Sequence, residues 1–154
     1  MKTGLVSRPG SWAPLLGLCL SLLTQPAWAA TLETPSPVSL VYWSAGDCGP
    51  CRAWSQTERK QEFLAEAKAL GVTLVEVQRP RLADPLSHYA WPKEQAPLMQ
   101  SYLTHQYAPA RLTPAFDFVC RGDLVQRIDG LHEWDSFWKS SLRRSVKQCK
   151  ELPG

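Results

Sequence analysis

Two cysteines separated by two residues, Cys48-Gly49-Pro50-Cys51, are the side chains of this 154-residue chain best suited to chemistry. A thiol pair at this spacing can close a disulfide, because a helical turn holds the second sulfur close to the first. At the start of a helix, free backbone N–H groups and the helix dipole favour the thiolate of the first cysteine. The spacing therefore predicts a redox-active pair in which Cys48 is the attacking thiolate.

The segments around this pair predict a strand, a helix and a second strand. Residues 38–43 form an apolar run that is typical of a central strand covered on both faces. After the cysteines, a segment with few helix breakers predicts one helix that ends at Leu70, with Gly71 as its C-cap. Residues 72–77 form the next strand, so the unit has a right-handed crossover and a parallel strand pair.

The second half of the chain predicts a helix over 94–107, then a hairpin, then a last helix. The hairpin joins strands 115–120 and 124–128 through a turn at residues 121–123. The last helix begins near Leu131, and its apolar residues recur at helical spacing as far as Cys149.

These features resemble the thioredoxin superfamily, whose thioredoxins carry the same Cys-Gly-Pro-Cys sequence. Thr113-Pro114 looks like the family's cis-proline before a strand, and residues 128–130 look like the end of its closing strand. The resemblance covers residues 38–150 and is weak between 79 and 111, where the chain is longer than a minimal thioredoxin. It implies an α/β, thioredoxin-like three-layer fold with a central mixed sheet flanked by helices on both faces.

The resemblance also implies roles for individual residues. Cys48 would occupy an exposed position and Cys51 would be the buried thiol that resolves a mixed disulfide. Gly49 and Pro50 would form the active-site loop between them. Pro114 has no N–H, so it would leave the backbone of the preceding residue, Thr113, free to pair with an extended substrate segment. The alternative for Pro114 is an ordinary turn proline at the start of a strand.

The sequence departs from thioredoxins at two positions. Tyr42 stands where they carry a buried aspartate, and Asp47 stands where they carry a tryptophan before the first cysteine. An anion at Asp47 opposes formation of a thiolate, although solvent screens it. Glu76 interrupts an apolar strand and is the candidate proton shuttle for the second cysteine; the alternative is a solvated side chain near the strand end. Asp117 is a weaker candidate.

Of the three remaining cysteines, Cys19 lies within residues 1–29, and the other two are interpreted as structural. Cys120 ends a strand and Cys149 lies on the apolar stripe of the last helix, which favours a structural disulfide between them. A second redox relay is the alternative. A zinc site is disfavoured because these two cysteines are not closely spaced, and the three histidines lack metal-ligand spacing. No metal and no cofactor are expected. The histidines are His88, His105 and His132.

The N-terminus has the pattern of a secretory signal peptide over residues 1–29. A basic start precedes an apolar stretch, and Ala27-Trp28-Ala29 supplies a small-residue cleavage signal. An uncleaved membrane anchor is the alternative, but the apolar stretch is shorter than the roughly 20 residues that a span needs. Residues 30–37 are expected to form a flexible lead, and residues 38–154 the thioredoxin-like domain, with 79–111 as an insertion.

Charge and cysteine content narrow the functional class. Cleavage after residue 29 removes two of 17 basic residues and none of the 14 acidic ones, which leaves a net charge of 15 − 14 = +1. No nucleic acid or acidic lipid partner is indicated. Four cysteines in an exported domain suit an oxidising compartment, in a bacterium the periplasm. We expect disulfide exchange with protein thiols and disulfides, as a reductant supplied by a membrane electron donor; the alternatives are an oxidase or isomerase, or a non-catalytic binding module.

Overall fold

The structure, a computed structural model, describes residues 37–152, which form a four-stranded mixed sheet with helices on both faces. The strand order is β2-β1-β3-β4, with β1 and β2 parallel and the other neighbouring pairs antiparallel. This architecture confirms the predicted three-layer α/β fold. The strands are β1 (Val38–Ala45), β2 (Thr73–Arg79), β3 (Ala115–Cys120) and β4 (Asp123–Asp129).

Within residues 37–152, five α-helices connect and cover the strands, and two predicted single helices are each divided in two. The first break lies at Thr57, whose backbone is extended and whose hydroxyl donates to the carbonyl of Trp54 at 2.9 Å. The second lies at Ser141, where φ is −118°. Neither break involves proline or glycine. The helices are α1 (Gly49–Ser55), α2 (Glu58–Leu70), α3 (Ala96–Thr104), α4 (Leu131–Ser140) and α5 (Leu142–Glu151).

The break at Ser141 has a packing reason. Trp134 on α4 and Val146 on α5 are 0% and 2% exposed, so both helices bury their apolar faces against the sheet. Since about 0.8 kcal/mol is gained for each CH₂ group buried, a bend that lets both faces reach the core offsets the loss of helical continuity. The sequence prediction of one continuous helix is wrong for this reason.

Alternate residues of β1 face two separate cores. Leu40 and Tyr42 lie in the core covered by α1, α2, α4 and α5, whereas Val41 and Trp43 lie in the core covered by α3. Because side chains alternate across a strand, a strand in the middle of three layers is apolar at every position. The continuous run at 38–43 is therefore the signature of this central strand. Trp43, Trp54 and Trp134 are 0–2% exposed, and Trp138 packs against the core that contains Trp54 and Trp134.

The segment between β2 and β3 lies mainly on the α3 face. It begins after Arg79, which belongs to β2, and contains 3-10 turns at Leu86–His88 and Lys93–Gln95. Helix α3 is shorter than the predicted 94–107, because Gln106 takes a φ of 56° and Tyr107 donates back to the carbonyl of Tyr102. The insertion therefore contributes one full helix and two short turns to this layer.

The predicted signal peptide lies outside the described residues, as does the predicted flexible lead except for its last residue. Within residues 37–152, the helices are too short or too polar to cross a membrane.

Candidate active site

The cysteine pair lies at the N-terminus of α1, directly after β1. Cys48 is the N-cap of this helix, and its Sγ accepts a hydrogen bond from the N–H of Cys51 at 3.1 Å. The two cysteines form a disulfide with Cα atoms 5.2 Å apart. Pro50 lies in the first turn, where a missing N–H costs nothing. The N–H of Cys51 is thus already directed at the sulfur that would carry the negative charge in the reduced pair.

Cys48 is buried in the structure, whereas an exposed position was expected. Cys48 is 1% exposed and Cys51 is 4% exposed, so both belong to the core in the disulfide form. Cys48 is covered because its side chain turns back over the helix end to meet the Cys51 N–H. Gly49 and Pro50 form the exposed part of the active-site loop.

Thr113 and Pro114 lie at the same end of the sheet as the cysteine pair. The peptide bond between them is cis, and the next residue, Ala115, is in register with Trp43 near the end of β1. The carbonyl of Pro114 accepts from the N–H of Gly130 at 2.9 Å. Among residues 37–152, neither the backbone of Thr113 nor its buried hydroxyl has a hydrogen-bond partner. The Thr113 backbone therefore has the capacity to pair with another extended segment.

A polar cavity of about 220 Å³ lies behind the disulfide, and Tyr42, Cys51 and Glu76 are among the residues that line it. The hydroxyl of Tyr42 donates to the carbonyl of Cys51 at 3.5 Å. Burial, with a further contribution from the nearby Glu76 charge, raises the pKa of Tyr42 to about 12, although a hydrogen bond with Ser55 opposes this. Tyr42 is therefore a hydroxyl donor at neutral pH and cannot act as a general base there.

Glu76 lies in the middle of β2, in register with Tyr42. Its carboxylate forms an ion pair with the ammonium group of Lys60 at 2.8 Å, and 49% of its side chain is exposed. A carboxylate that lines the cavity beside Cys51 and also reaches solvent is placed to exchange protons with water. Glu76 remains our candidate for the proton shuttle.

We predict that Glu76→Gln slows the resolving step at Cys51 by about tenfold, because the amide cannot take up the proton that Cys51 loses. The attack by Cys48 should change little. Stopped-flow measurement of both steps between pH 6 and 8 would test this. Tyr42→Phe removes the only hydroxyl that donates to the Cys51 carbonyl among the described residues. This substitution should also change the rate of the second step alone.

Glu66→Gln is the matched control, since Glu66 is also paired with a cation, Arg143, but does not line the cavity. Equal rates for Glu76→Gln and the unmodified protein in both steps would remove Glu76 from the mechanism.

The second candidate shuttle, Asp117, lies on the wrong face of the sheet. It is fully buried and pairs with Val41 on β1, which faces the α3 core rather than the core that contains Cys51. Its carboxylate accepts hydrogen bonds from Trp43 and Tyr102, both at 2.8 Å, and two from Arg127 at 2.7 Å. The carboxylate accepts four hydrogen bonds in this network, so we interpret Asp117 as a structural residue.

The disulfide between Cys120 and Cys149 lies at the opposite end of the sheet. Its Cα atoms are 5.7 Å apart, and the two cysteines are 5% and 2% exposed. Cys120 is in register with Val38 at the start of β1, whereas Cys48 follows the end of that strand. At about 3.3 Å per residue, the length of β1 places the two disulfides roughly 20 Å apart. This separation prevents direct exchange between them, which argues against a relay.

Replacement of Cys120 and Cys149 together by Ser should lower the free energy of unfolding by about 2–4 kcal/mol, because the unfolded chain loses a cross-link. Exchange through the other cysteine pair should be largely unchanged in the folded variant. Urea unfolding and a disulfide-exchange assay on the same sample would measure both. A large loss of exchange at unchanged stability would contradict the structural role.

Arg79, a buried cation at the end of β2, was not among the residues predicted from the sequence. It is 4% exposed and follows Val75 and Val77 at alternate positions of the strand. This period of two was the available signal, since it places Arg79 on the same buried face as the two valines.

Asp47, expected to oppose the Cys48 thiolate, accepts a hydrogen bond from the backbone N–H of Leu82 at 2.7 Å. Its carboxylate is therefore held against the segment after β2.

Within the described part of the chain, no group of three or more His, Cys, Asp or Glu side chains is arranged to hold a metal ion.

The strand order, the cysteine pair at the helix after β1 and the cis-proline before β3 define a thioredoxin-like fold with a redox-type cysteine pair. No protein-family model matches the chain, and comparison with curated protein sequences found no match.

The solved structures that resemble it include several thioredoxins. Spinach chloroplast thioredoxin f (long form) is 19% identical over 73% of this chain and 72% of that chain, with a TM-score of 0.43. Fasciola hepatica thioredoxin is 21% identical over 73% and 81%, with a TM-score of 0.40. The reduced periplasmic thioredoxin SoxS of Paracoccus pantotrophus is 19% identical over 74% and 99%, also with a TM-score of 0.40.

Proposed function

We propose that this protein is a thiol–disulfide oxidoreductase that exchanges disulfides with protein substrates through Cys48 and Cys51. The observation that carries the proposal is the position of Cys48 as the N-cap of α1, with the N–H of Cys51 directed at its sulfur at 3.1 Å. A backbone N–H at this distance favours the thiolate form, which is the nucleophile in disulfide exchange. The unpaired backbone of Thr113 supports a role in binding an extended substrate segment.

The exchange proceeds in two steps. The Cys48 thiolate attacks one sulfur of the substrate disulfide, so that a mixed disulfide forms and the other substrate sulfur leaves as a thiolate. Cys51 then loses its proton, to Glu76 or water, and attacks the sulfur of Cys48. The second substrate thiolate leaves, and both substrate thiolates take up protons. Two electrons have passed from the protein dithiol to the substrate, and the protein is left with a Cys48–Cys51 disulfide.

We further propose that the protein acts as a reductant. The Gly-Pro pair between the cysteines is that of thioredoxin, the most reducing of the reference proteins in this class. A reductant must itself be reduced, and outside the cytoplasm this requires a dithiol electron donor in the membrane. The nearest rivals are an oxidase or isomerase of the same fold and a non-catalytic binding module.

We place this activity in the periplasm and propose that residues 1–29 are a cleaved signal peptide. The support is the basic start, the apolar stretch and the Ala-x-Ala site of the sequence, together with a second, buried cysteine pair in the domain. N-terminal sequencing of the exported protein should begin at Ala30. Recovery of uncut protein from the membrane fraction would contradict cleavage.

The reduction potential of the Cys48–Cys51 pair tests the direction of exchange. Equilibration with dithiothreitol or glutathione buffers, followed by alkylation and mass spectrometry, should give a value near or below about −250 mV. A value above about −150 mV would instead identify an oxidant. A pair that resists mild reductant and exchanges with no substrate would favour the binding module.

A further inference from the structure

Arg79 is a buried guanidinium group whose partners are backbone carbonyls. Its Nη1 donates to the carbonyl of Asp84 at 3.0 Å, and its Nη2 donates to that of Arg111 at 3.5 Å. Its Nε is buried without a hydrogen-bond partner, and its guanidinium lies 5.1 Å from the centre of the Tyr89 ring. Among residues 37–152 no carboxylate lies within ion-pair distance of it; that of Asp84 is bound by Arg81 instead.

A buried cation without a counter-ion lowers stability, so its geometry needs a reason. The two carbonyls belong to segments that are far apart in sequence, the start of the insertion and the approach to Thr113. The backbone of Arg79 adds a third link, because its carbonyl accepts from the N–H of Gly46 at 3.0 Å. One residue therefore connects the three segments that border the cysteine pair.

Two of these segments expose apolar side chains. Leu82 is 45% exposed and Leu112 is 65% exposed, and they are two of the five large apolar side chains that are exposed in the described part of the chain. The N–H of Leu82 is bonded to Asp47, next to the first cysteine. Leu112 directly precedes Thr113, whose backbone is unpaired. Both leucines thus flank the surface that a substrate would meet.

We propose that Arg79 is a positioning residue that sets substrate preference. By holding residues 84 and 111 at one guanidinium group, it keeps Leu82 and Leu112 in place to contact an apolar side chain beside the substrate cysteine. The preferred substrate is an extended polypeptide with an apolar residue next to its disulfide, rather than a small hydrophilic disulfide. This inference rests on the proposed exchange activity, and it concerns only which substrates are favoured.

The test uses pre-reduced protein in single turnover with three disulfide probes. Two are dimers of one nonapeptide that has either Leu or Ser next to its cysteine, and the third is 5,5′-dithiobis(2-nitrobenzoate). Arg79→Gln should reduce the preference for the Leu peptide over the Ser peptide by about tenfold, whereas the rate with the small probe should stay within about twofold. Arg79→Lys, which keeps the charge but carries its donors on a single nitrogen, should retain part of the preference.

Arg81→Gln is the matched control, because this exposed arginine lies in the same segment and pairs with Asp84 without contacting residue 111. It should leave the preference unchanged. If Arg79→Gln does not fold, the exposed double variant Leu82→Ser and Leu112→Ser decides, and it should lose the preference in the same way.

Three results would contradict the proposal or its basis. An unchanged preference in Arg79→Gln or in the double leucine variant overturns the positioning role. Equal loss with all three probes shows a general disturbance of the cysteine pair and also overturns it. Failure of the unmodified protein to reduce any probe would instead refute the proposed function. This result differs from the first two, in which the unmodified protein is active.

Discussion

Cys51→Ser protein, expressed with residues 1–29 retained in a bacterium that exports proteins to a periplasm, should accumulate mixed disulfides through Cys48. The substitution leaves the first attack intact and removes the thiol that releases the product. Cys48 is the N-cap of α1, and its Sγ accepts a hydrogen bond from the backbone N–H of residue 51. A serine at position 51 retains this hydrogen bond, because the donor belongs to the backbone. Non-reducing gels and mass spectrometry would show the trapped species and identify the substrates.

Cys48→Ser is the control for this experiment, and it should trap almost nothing. Cys51 should account for little nucleophilic attack, because it lies one turn into the helix, whereas Cys48 lies at the N-terminus, where the helix dipole favours a thiolate. Equal trapping by the two variants would show that the roles of the cysteines are assigned wrongly. Absence of trapping in both would favour a binding module over an enzyme.

Asp117→Ala should be among the most destabilising single substitutions in the domain, with a loss of about 3–5 kcal/mol in the free energy of unfolding. The carboxylate is fully buried and forms two hydrogen bonds with Arg127, whose side chain is 25% exposed, so its removal leaves a partly buried guanidinium without its counter-ion. The same carboxylate raises the pKa of Arg127, chiefly by hydrogen bonding. Trp43 and Tyr102 would also lose their acceptor.

Glu151→Ala is a suitable control, because its ion pair with Lys147 is exposed on α5 and should contribute at most about 1 kcal/mol. Urea unfolding of the three proteins at pH 7 would measure the difference. Under native conditions, folded Asp117→Asn should keep normal rates for both exchange steps, since Asp117 faces away from Cys51. A slower resolving step in that variant would restore Asp117 as a proton shuttle.

Local sequence pattern predicted the strands and the cysteine pair well, because each depends on neighbouring residues. The predicted bounds of β3 agree with the structure, and the continuous apolar run of β1 correctly indicated a strand covered on both faces. Gly71 ends α2 with a φ of 68°, as its position predicted. These features follow from steric and burial rules that act within a few residues.

The breaks at Thr57 and Ser141 could not be predicted in the same way. Both lie in segments without proline or glycine, and the local cost of continuing the helix there is small. The decision depended on whether side chains before and after each break could reach one core, as Trp134 and Val146 do. That gain depends on the relative positions of the sheet and both helices, which no local pattern contains.

The amino-acid sequence by itself determined the redox pair, the position of Cys48 at a helix start and the central strand β1. Only the tertiary structure decided which candidate acid lies beside Cys51, because the answer depends on strand register. The register of β2 places Glu76 beside Tyr42, whereas the register of β3 turns Asp117 to the other face of the sheet. The same holds for the contacts of Arg79, whose two carbonyl partners lie 5 and 32 residues away in sequence. Contacts at such separations form when strands and loops pack, and so they are properties of the folded chain.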